Sequence, residues 1–180
     1  MRSSSKTKIL QAAVRVTERH GITALTLEAA AEEAGLTKPG LMYHFRTRDE
    51  LLIAIQRHLT GEWEGQLLAE LGKPLEDSTA QERAAAYLSV NAHGSSSKAD
   101  LAFMVESATS PALAQVWNEL MARWVPQPPV PEPAGLDLFL ARLAADGLWL
   151  FEATGAAPLA PEVKQALIRR IAALTEAPPA

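Results

Sequence analysis

From Leu51 to Leu71 an apolar side chain falls at every fourth residue: Leu51, Ile55, Leu59, Trp63, Leu67 and Leu71. A strand alternates its faces at every second residue, whereas a helix brings positions three and four apart onto one side, so this stripe predicts a helix. Both of its ends are marked. Thr47-Arg48-Asp49-Glu50 puts a hydroxyl at the N-cap and a carboxylate three residues on, a capping box, and Gly72 and Pro74 close the run. A fold that contains so long a helix has to bury other apolar stripes of the same period.

That period recurs along the chain. Ile9, Leu10, Ala13, Val14 and Thr17 predict a helix from Ser3 or Ser4 to His20, with Gly21 at its C-terminal cap. Thr26 is placed to cap a second helix, Glu28 suits the positive end of its dipole, and LEAAAEEA stops at Gly35. A short third helix is expected after Thr37, with Lys38 and Pro39 in its first turn, where a missing N–H costs nothing. Residues around 77–92, 98–108, 111–125, 135–154 and 161–175 also read as helices. No alternating strand pattern or solenoid repeat is present, so the predicted fold is all-α with about nine helices. HGSSSKAD (93–100), PQPPVPEP (126–133) and the final APPA read as loops or a tail.

With 48% apolar residues in 180, the chain can bury a real core, and no run approaches the roughly 18 apolar residues that span a bilayer. Cysteine is absent, which excludes disulfides and thiolate metal sites, and the first residues lack the sustained apolar run of a signal peptide. A cytoplasmic protein is expected. Charge is divided unevenly: residues 1–60 hold nine Lys/Arg and six Asp/Glu, a net +3, which leaves −7 for the remainder of a chain at −4. A basic end on an acidic protein suggests that this end meets a polyanion.

Residues 26–46 then become informative. A helix of about eight residues, a short turn opening on glycine and a second short helix describe a helix-turn-helix, whose second helix presents its N-terminal residues to the DNA major groove. Pro39 is harmless there, and Gly40 has no side chain to hold the backbone away from DNA. Lys38 can reach a guanine edge or a phosphate, while Thr37, Tyr43 and His44 can hydrogen-bond phosphate oxygens. Arg48 adds a cation at the start of the next helix, and Met42 can pack on a thymine methyl. Leu41 and Phe45, four apart, would face inward. An ordinary helical corner with an aromatic core plug is the alternative these residues leave open.

The stretch from Ile9 to about Ile55, centred on AAEEAGLTKPGLMYHFRTRDELLIAI, resembles the DNA-binding domain of TetR-type bacterial transcriptional regulators. The resemblance lies in the I-L-x-A-A opening, the Gly21 break, Thr26, the A-G-L-T turn, Y-H-F ending the third helix and a basic residue three after the phenylalanine. It implies that Thr26, Thr37, Tyr43, His44 and Arg48 hold phosphates and that Lys38, Pro39 and Gly40 lie nearest the bases. It also implies a DNA-binding domain over 1–48 and a ligand-binding, dimerising body over 49–180. Two positions depart from the pattern: Met42 stands where the family commonly has tyrosine, and Arg48 where it has lysine. The first loses a hydroxyl contact and shifts readout toward apolar contact; the second keeps the charge with altered geometry.

In the second half, Leu136, Phe139, Leu140, Leu143, Gly147 and Leu150, with Val163, Leu167, Ile168 and Ile171, make helices apolar on more than one side. Such helices must bury more than one side, and the resemblance implies a four-helix homodimer interface. His58, Trp63, Phe103, Met104, Trp117, Met121, Trp124 and Trp149 are candidates to line a small-molecule effector cavity. No metal-ligand spacing joins the four histidines, and no cofactor motif is present. Ser95-Ser96-Ser97-Lys98 matches a serine-nucleophile pattern, but its S-D-N and K-T-G partners are missing and its setting reads as a loop, so no enzyme is expected. The expected function is a homodimeric repressor on a palindromic double-stranded DNA operator, released by an unknown effector. The alternative is a helical small-molecule-binding or scaffolding protein that does not bind DNA.

Overall fold

The helix stops become backbone geometry at Gly35 and Gly72, with φ of 67° and 68°. At the first, the Gly35 N–H donates to Glu32 O at 3.0 Å and the Leu36 N–H to Ala31 O at 2.9 Å, the paired bonds of a Schellman ending. This computed structural model describes residues 5–93, 97–125, 132–155 and 158–176. Among them are nine α-helices and no strand: α1 (Ser5–His20), α2 (Leu27–Glu33), α3 (Lys38–Met42), α4 (Arg48–Leu71), α5 (Ala80–His93), α6 (Lys98–Ser107), α7 (Pro111–Trp124), α8 (Pro133–Ala153) and α9 (Pro161–Ala173). The fold is all-α, as expected. Most of the proline-rich stretch (126–131), the serines 95–96 and the final APPA lie outside the described residues.

Two compact units divide the chain, residues 1–62 with 97–118 and residues 63–96 with 119–180. The division expected between residues 48 and 49 falls inside the first unit, because the opening turns of α4 share its core. Ile9, Leu41, Leu51, Ile55 and Phe103 are almost fully buried together there, with Phe45 packed in the same cluster. Burial of one such side chain contributes about 1.5–3 kcal/mol. Five-residue α3 could not persist alone; Leu41 and Phe45 anchor it from its inner side. Leu51 and Ile55 are fully buried and Leu59 half so; a spacing of four drifts by about 40° at each step, and Leu67, fully buried again, belongs to the second unit.

The start of α4 differs in detail from a capping box. Thr47 Oγ1 accepts from the Glu50 N–H at 3.1 Å, but the Glu50 carboxylate accepts from the Arg46 N–H at 2.7 Å rather than from Thr47. The reciprocal box occurs at α6 instead, where Ser97 Oγ accepts from the Asp100 N–H at 3.0 Å and Asp100 Oδ2 accepts from the Ser97 N–H at 3.3 Å. Glu18 of α1 reaches the same helix end, accepting from the Lys98 and Ala99 N–H groups at 3.2 and 2.9 Å. Residues 97–100 thus start a helix rather than continue a loop. Serine favours an N-cap when a carboxylate stands three residues on, so the described half of the S-x-x-K match is helix-capping chemistry.

In the second unit α5 packs on α8 and α9, and α8 on α9. Glu64 fastens the end of α7 by accepting from the Trp124 indole N–H at 3.0 Å and from Arg123 at 2.8 Å. The unexpected feature is polar and partly buried: the Tyr87 hydroxyl donates to Asp146 Oδ1, and Asn91 approaches the same oxygen at 3.5 Å.

Candidate nucleic-acid interface

The surface of α2 and α3 is made by their caps. Thr26 Oγ1 accepts from the Ala29 N–H at 3.0 Å and Thr37 Oγ1 from the Gly40 N–H at 3.2 Å. Each hydroxyl is an acceptor toward its own helix; the Thr37 proton is left to donate outward, while the Thr26 hydroxyl also bonds the Glu28 carboxylate. Pro39 falls at the start of α3, where it removes no bond. A Cβ on Gly40 would stand 3.2 Å from Thr37 Oγ1. That contact is tight but of the kind Ala29 and Glu50 make under their own threonine caps, so the cap alone does not demand glycine at position 40.

Outward exposure rises along the aromatic block. Phe45 is buried, His44 half-buried and tilted to it with ring centres 6.5 Å apart, and Tyr43 stands edge-on to His44 at 5.2 Å with 87% of its surface exposed. Lys6 of α1 completes the row, its Nζ 5.7 Å from the centre of the Phe45 ring. Met42 is 39% exposed. So Thr26, Thr37, Lys38, Pro39, Met42 and Tyr43 are exposed, whereas Gly40, His44 and Arg48 are half-buried.

The cations divide into two groups. Arg15 and Arg19 of α1 both pair with Glu33 of α2, the first at 2.7 Å, and hold that carboxyl below its usual range. They fasten one helix to the other. Lys38 pairs with Glu28, whose carboxyl is lowered chiefly by that contact. Both side chains are at least half exposed, so the pair is weak and can yield to a phosphate. Arg48 turns inward: its Nε donates to Leu25 O at 2.8 Å and its Nη2 to Ile22 O at 2.9 Å. It thereby holds the 3-10 turn Ile22–Ala24 that precedes Thr26. The contact uses two nitrogens of the planar fork, a spacing that the single nitrogen of a lysine does not offer.

Two family models match the chain, one described as bacterial regulatory proteins of the tetR family over residues 9–55, the other as a tetracyclin repressor-like C-terminal domain over 81–176. The chain belongs to the tetR family. Membership sets it among regulatory proteins rather than enzymes. An HTH-type transcriptional regulator, BetI of Brucella anthropi, is 35% identical over 85 residues, which are 47% of this chain and 42% of that relative; the match thus spans less than half of its length. Solved structures extend the likeness in fold over nearly the whole chain. A member of the TetR family from Streptomyces coelicolor A3 has a TM-score of 0.65 at 20% identity, covering 94% of this chain and 98% of its own. A transcriptional regulator from Rhodococcus sp. Rha1 gives 0.66 at 20% identity, with 96% and 94% covered. The multidrug binding protein EbrR, solved with imidazole, gives 0.63 at 21% identity, with 98% of each chain covered.

The residues expected of the tetR-family body are spread over both units. Phe103, Met104, Trp117 and His58 lie in the first; Phe103 is buried in the core, Met104 is 42% exposed, and His58 sits 3.6 Å from Glu62. Trp63, Met121, Trp124 and Trp149 belong to the second. The second unit holds a cavity of about 240 Å³, and of those eight residues Trp124 lines it. Trp63 stands one layer back, edge-on to the lining Tyr87 at 5.3 Å. Of the expected interface residues, Leu136, Leu140, Leu143, Gly147 and Leu150 are exposed along α8, as are Val163 and Leu167 on α9. Ile168 is half-buried, Ile171 is buried, and Phe139 lines the cavity.

Sequence reasoning missed Tyr87, Arg142 and Asp146. Arg142 and Asp146 form an i,i+4 pair with 3.5 Å between Nε and Oδ2. Burial pushes the Asp146 carboxyl above its ordinary range, against the opposing effect of the Tyr87 hydroxyl and the Arg142 charge. Burial also raises Tyr87, next to the Asp146 charge, so the phenol stays protonated. Among the described residues no three His, Asp or Glu side chains are placed to hold a metal, and no helix is long and apolar enough to cross a membrane.

Proposed function

We propose that this tetR-family chain is a homodimeric repressor in the cytoplasm, binding a palindromic double-stranded DNA operator through residues 26–48 of each subunit and leaving it when a small effector binds. In this division of labour residues 1–48 are the DNA-binding domain, and 49–180 bind the effector and dimerise. The observation that carries the reading is the surface formed by Thr26, Thr37, Lys38, Met42 and the 87%-exposed Tyr43, raised on buried Leu41 and Phe45. Hydroxyl donors and a yielding cation suit phosphates, and the first turn of α3 suits base edges. One such helix reads few bases, whereas two related by a two-fold axis read half-sites about 34–36 Å apart.

The apolar row Leu136, Leu140, Leu143 and Leu150 on α8, with Val163 and Leu167 on α9, supports the symmetric pairing. Effector release then needs differential affinity between two conformations, and about 5.5 kcal/mol carries a two-state equilibrium from one side almost wholly to the other. EbrR, solved with imidazole and with malachite green, is a precedent in this fold for a small-molecule ligand. A helical small-molecule-binding or scaffolding protein without DNA binding is the second reading, favoured by the uptake of the Lys38 charge by Glu28.

Footprinting on the chain's own upstream region is the test. Protection of an inverted repeat is expected. Lys38→Ala with Tyr43→Phe should weaken it and lower the slope of log affinity against log salt by about 0.9 for each phosphate no longer neutralised. Binding that survives both substitutions with an unchanged slope contradicts the assignment.

A further inference from the structure

We infer that the cavity of the second unit takes a small monocarboxylate with a compact apolar body, its carboxylate held by Arg142. This rests on the reading of that cavity as the effector site. Its walls come from α5, the end of α7 and α8, and are mostly apolar: Ala84, Leu88, Leu138 and Phe139, with the Trp124 and Tyr87 rings. The polar ends of both aromatic side chains are engaged elsewhere, the Trp124 indole N–H by Glu64 and the Tyr87 hydroxyl by Asp146. Gln81 is exposed at the edge, so Arg142 is the charged side chain that lines the cavity.

Arg142 is also largely withdrawn from water. Its side chain is only 16% exposed, and its buried Nε faces Asp146 Oδ2. The Asp146 carboxylate stands 3.5 Å away, is not among the lining groups, and its other oxygen already accepts from Tyr87 and is approached by Asn91. A guanidinium offers five N–H donors in a planar fork that matches a carboxylate. With Nε sealed against Asp146, the Nη end of the fork is what a ligand reaches, and an acceptor there meets a cation that water solvates poorly. One cation, already partly balanced by Asp146, suits a monoanion rather than a phosphate dianion. At about 240 Å³ the cavity is also smaller than the roughly 300–1,000 Å³ of drug-sized sites.

Calorimetric titration of the full chain with phenylacetate and with hexanoate, each beside its neutral amide and beside phenethylamine, tests this. Each acid should bind at least about tenfold tighter than its amide, a difference worth about 1.4 kcal/mol. Arg142→Gln should erase that preference; Arg142→Lys, which keeps the charge without the fork, should retain part of it and serves if the glutamine variant fails to fold. Ala84→Trp, which fills the cavity, should weaken every probe. Amides or the amine binding as tightly as the acids, yet still blocked by Ala84→Trp, would overturn the carboxylate inference and leave the cavity reading standing. Acid binding untouched by Ala84→Trp would overturn both. Failure of both acids to bind up to about 10 mM, weaker than any useful affinity, would overturn the carboxylate inference.

Discussion

Replacing Arg48 with methionine keeps the aliphatic stem and deletes two donors. The parent side chain bridges Leu25 O at 2.8 Å and Ile22 O at 2.9 Å, so the substitution unties the turn that leads into Thr26. Hydrogen bonds from charged groups contribute about 1.5–3 kcal/mol each, and half-burial with residual solvation of the carbonyls brings the pair to about 2–3 kcal/mol in total. For a chain of this size a loss of 1 kcal/mol lowers the unfolding midpoint by about 2–4 °C, so Arg48→Met should lower it by about 4–12 °C. Arg48→Lys should fall roughly half as far, because it keeps the charge and N–H donors on one nitrogen but loses the spaced pair that meets both carbonyls. Scanning calorimetry measures the midpoints, and amide exchange should accelerate at residues 22–26 before it does elsewhere in the first unit. A methionine variant within about 1 °C of the parent, or a lysine variant that falls as far as methionine, would refute the clamp. Operator binding adds a second readout: the remaining N–H groups of the guanidinium are available to a phosphate, and if they hold one, the salt slope of the methionine variant is also smaller by about 0.9.

Gly35→Ala meets no atom within 4 Å of the new Cβ, so its effect isolates the left-handed backbone at φ 67° and should cost about 1–2 kcal/mol, read as a urea midpoint shift at constant slope. Glu82 is held down to about 2, first by Lys73 at 2.6 Å and then by the Thr79 N–H. Because its folded value is below the unfolded one, its contribution is present above about pH 4.5 and is lost as pH falls toward 2; Lys73→Met should flatten the decline of the melting midpoint across that interval. The paired change Leu140→Glu and Leu143→Glu puts two charges on side chains that are each 51% exposed, and should convert a dimer to monomer in sedimentation with little change in the monomer's helix content. A dimer that persists would move the interface off α8.

How far the sequence carried each of these features depends on whether the relevant force is local. Helix limits were legible because capping and glycine conformation act within four residues: Thr26, Thr37 and Gly35 stand where their chemistry requires them. The motif over 26–46 was legible for the same reason. The position of Leu41 and Phe45 in the core followed from a spacing of four. Arg48 was another matter, since its partners lie 23 and 26 residues earlier, in a 3-10 turn that no apolar period announces. A lone arginine three residues after a phenylalanine looks the same in sequence whether it faces solvent or a carbonyl.

The cavity fails to be legible for a related reason: a void is a property of how helices meet, not of any one helix. Aromatic and thioether side chains pointed at Phe103, Met121 and Trp149, yet none of the three lines the cavity. A different signal was available. Within ARLAADGLWLF the charges of Arg142 and Asp146 stand four apart on a helix otherwise apolar on several sides. A charged pair there must be partly buried, and partial burial of charge is destabilising unless a partner or a ligand compensates it. The rule that exposes an unannounced binding group is therefore to look for the polar residue that its helix cannot afford, not for the greasiest residues, and in α8 it selects Arg142 directly.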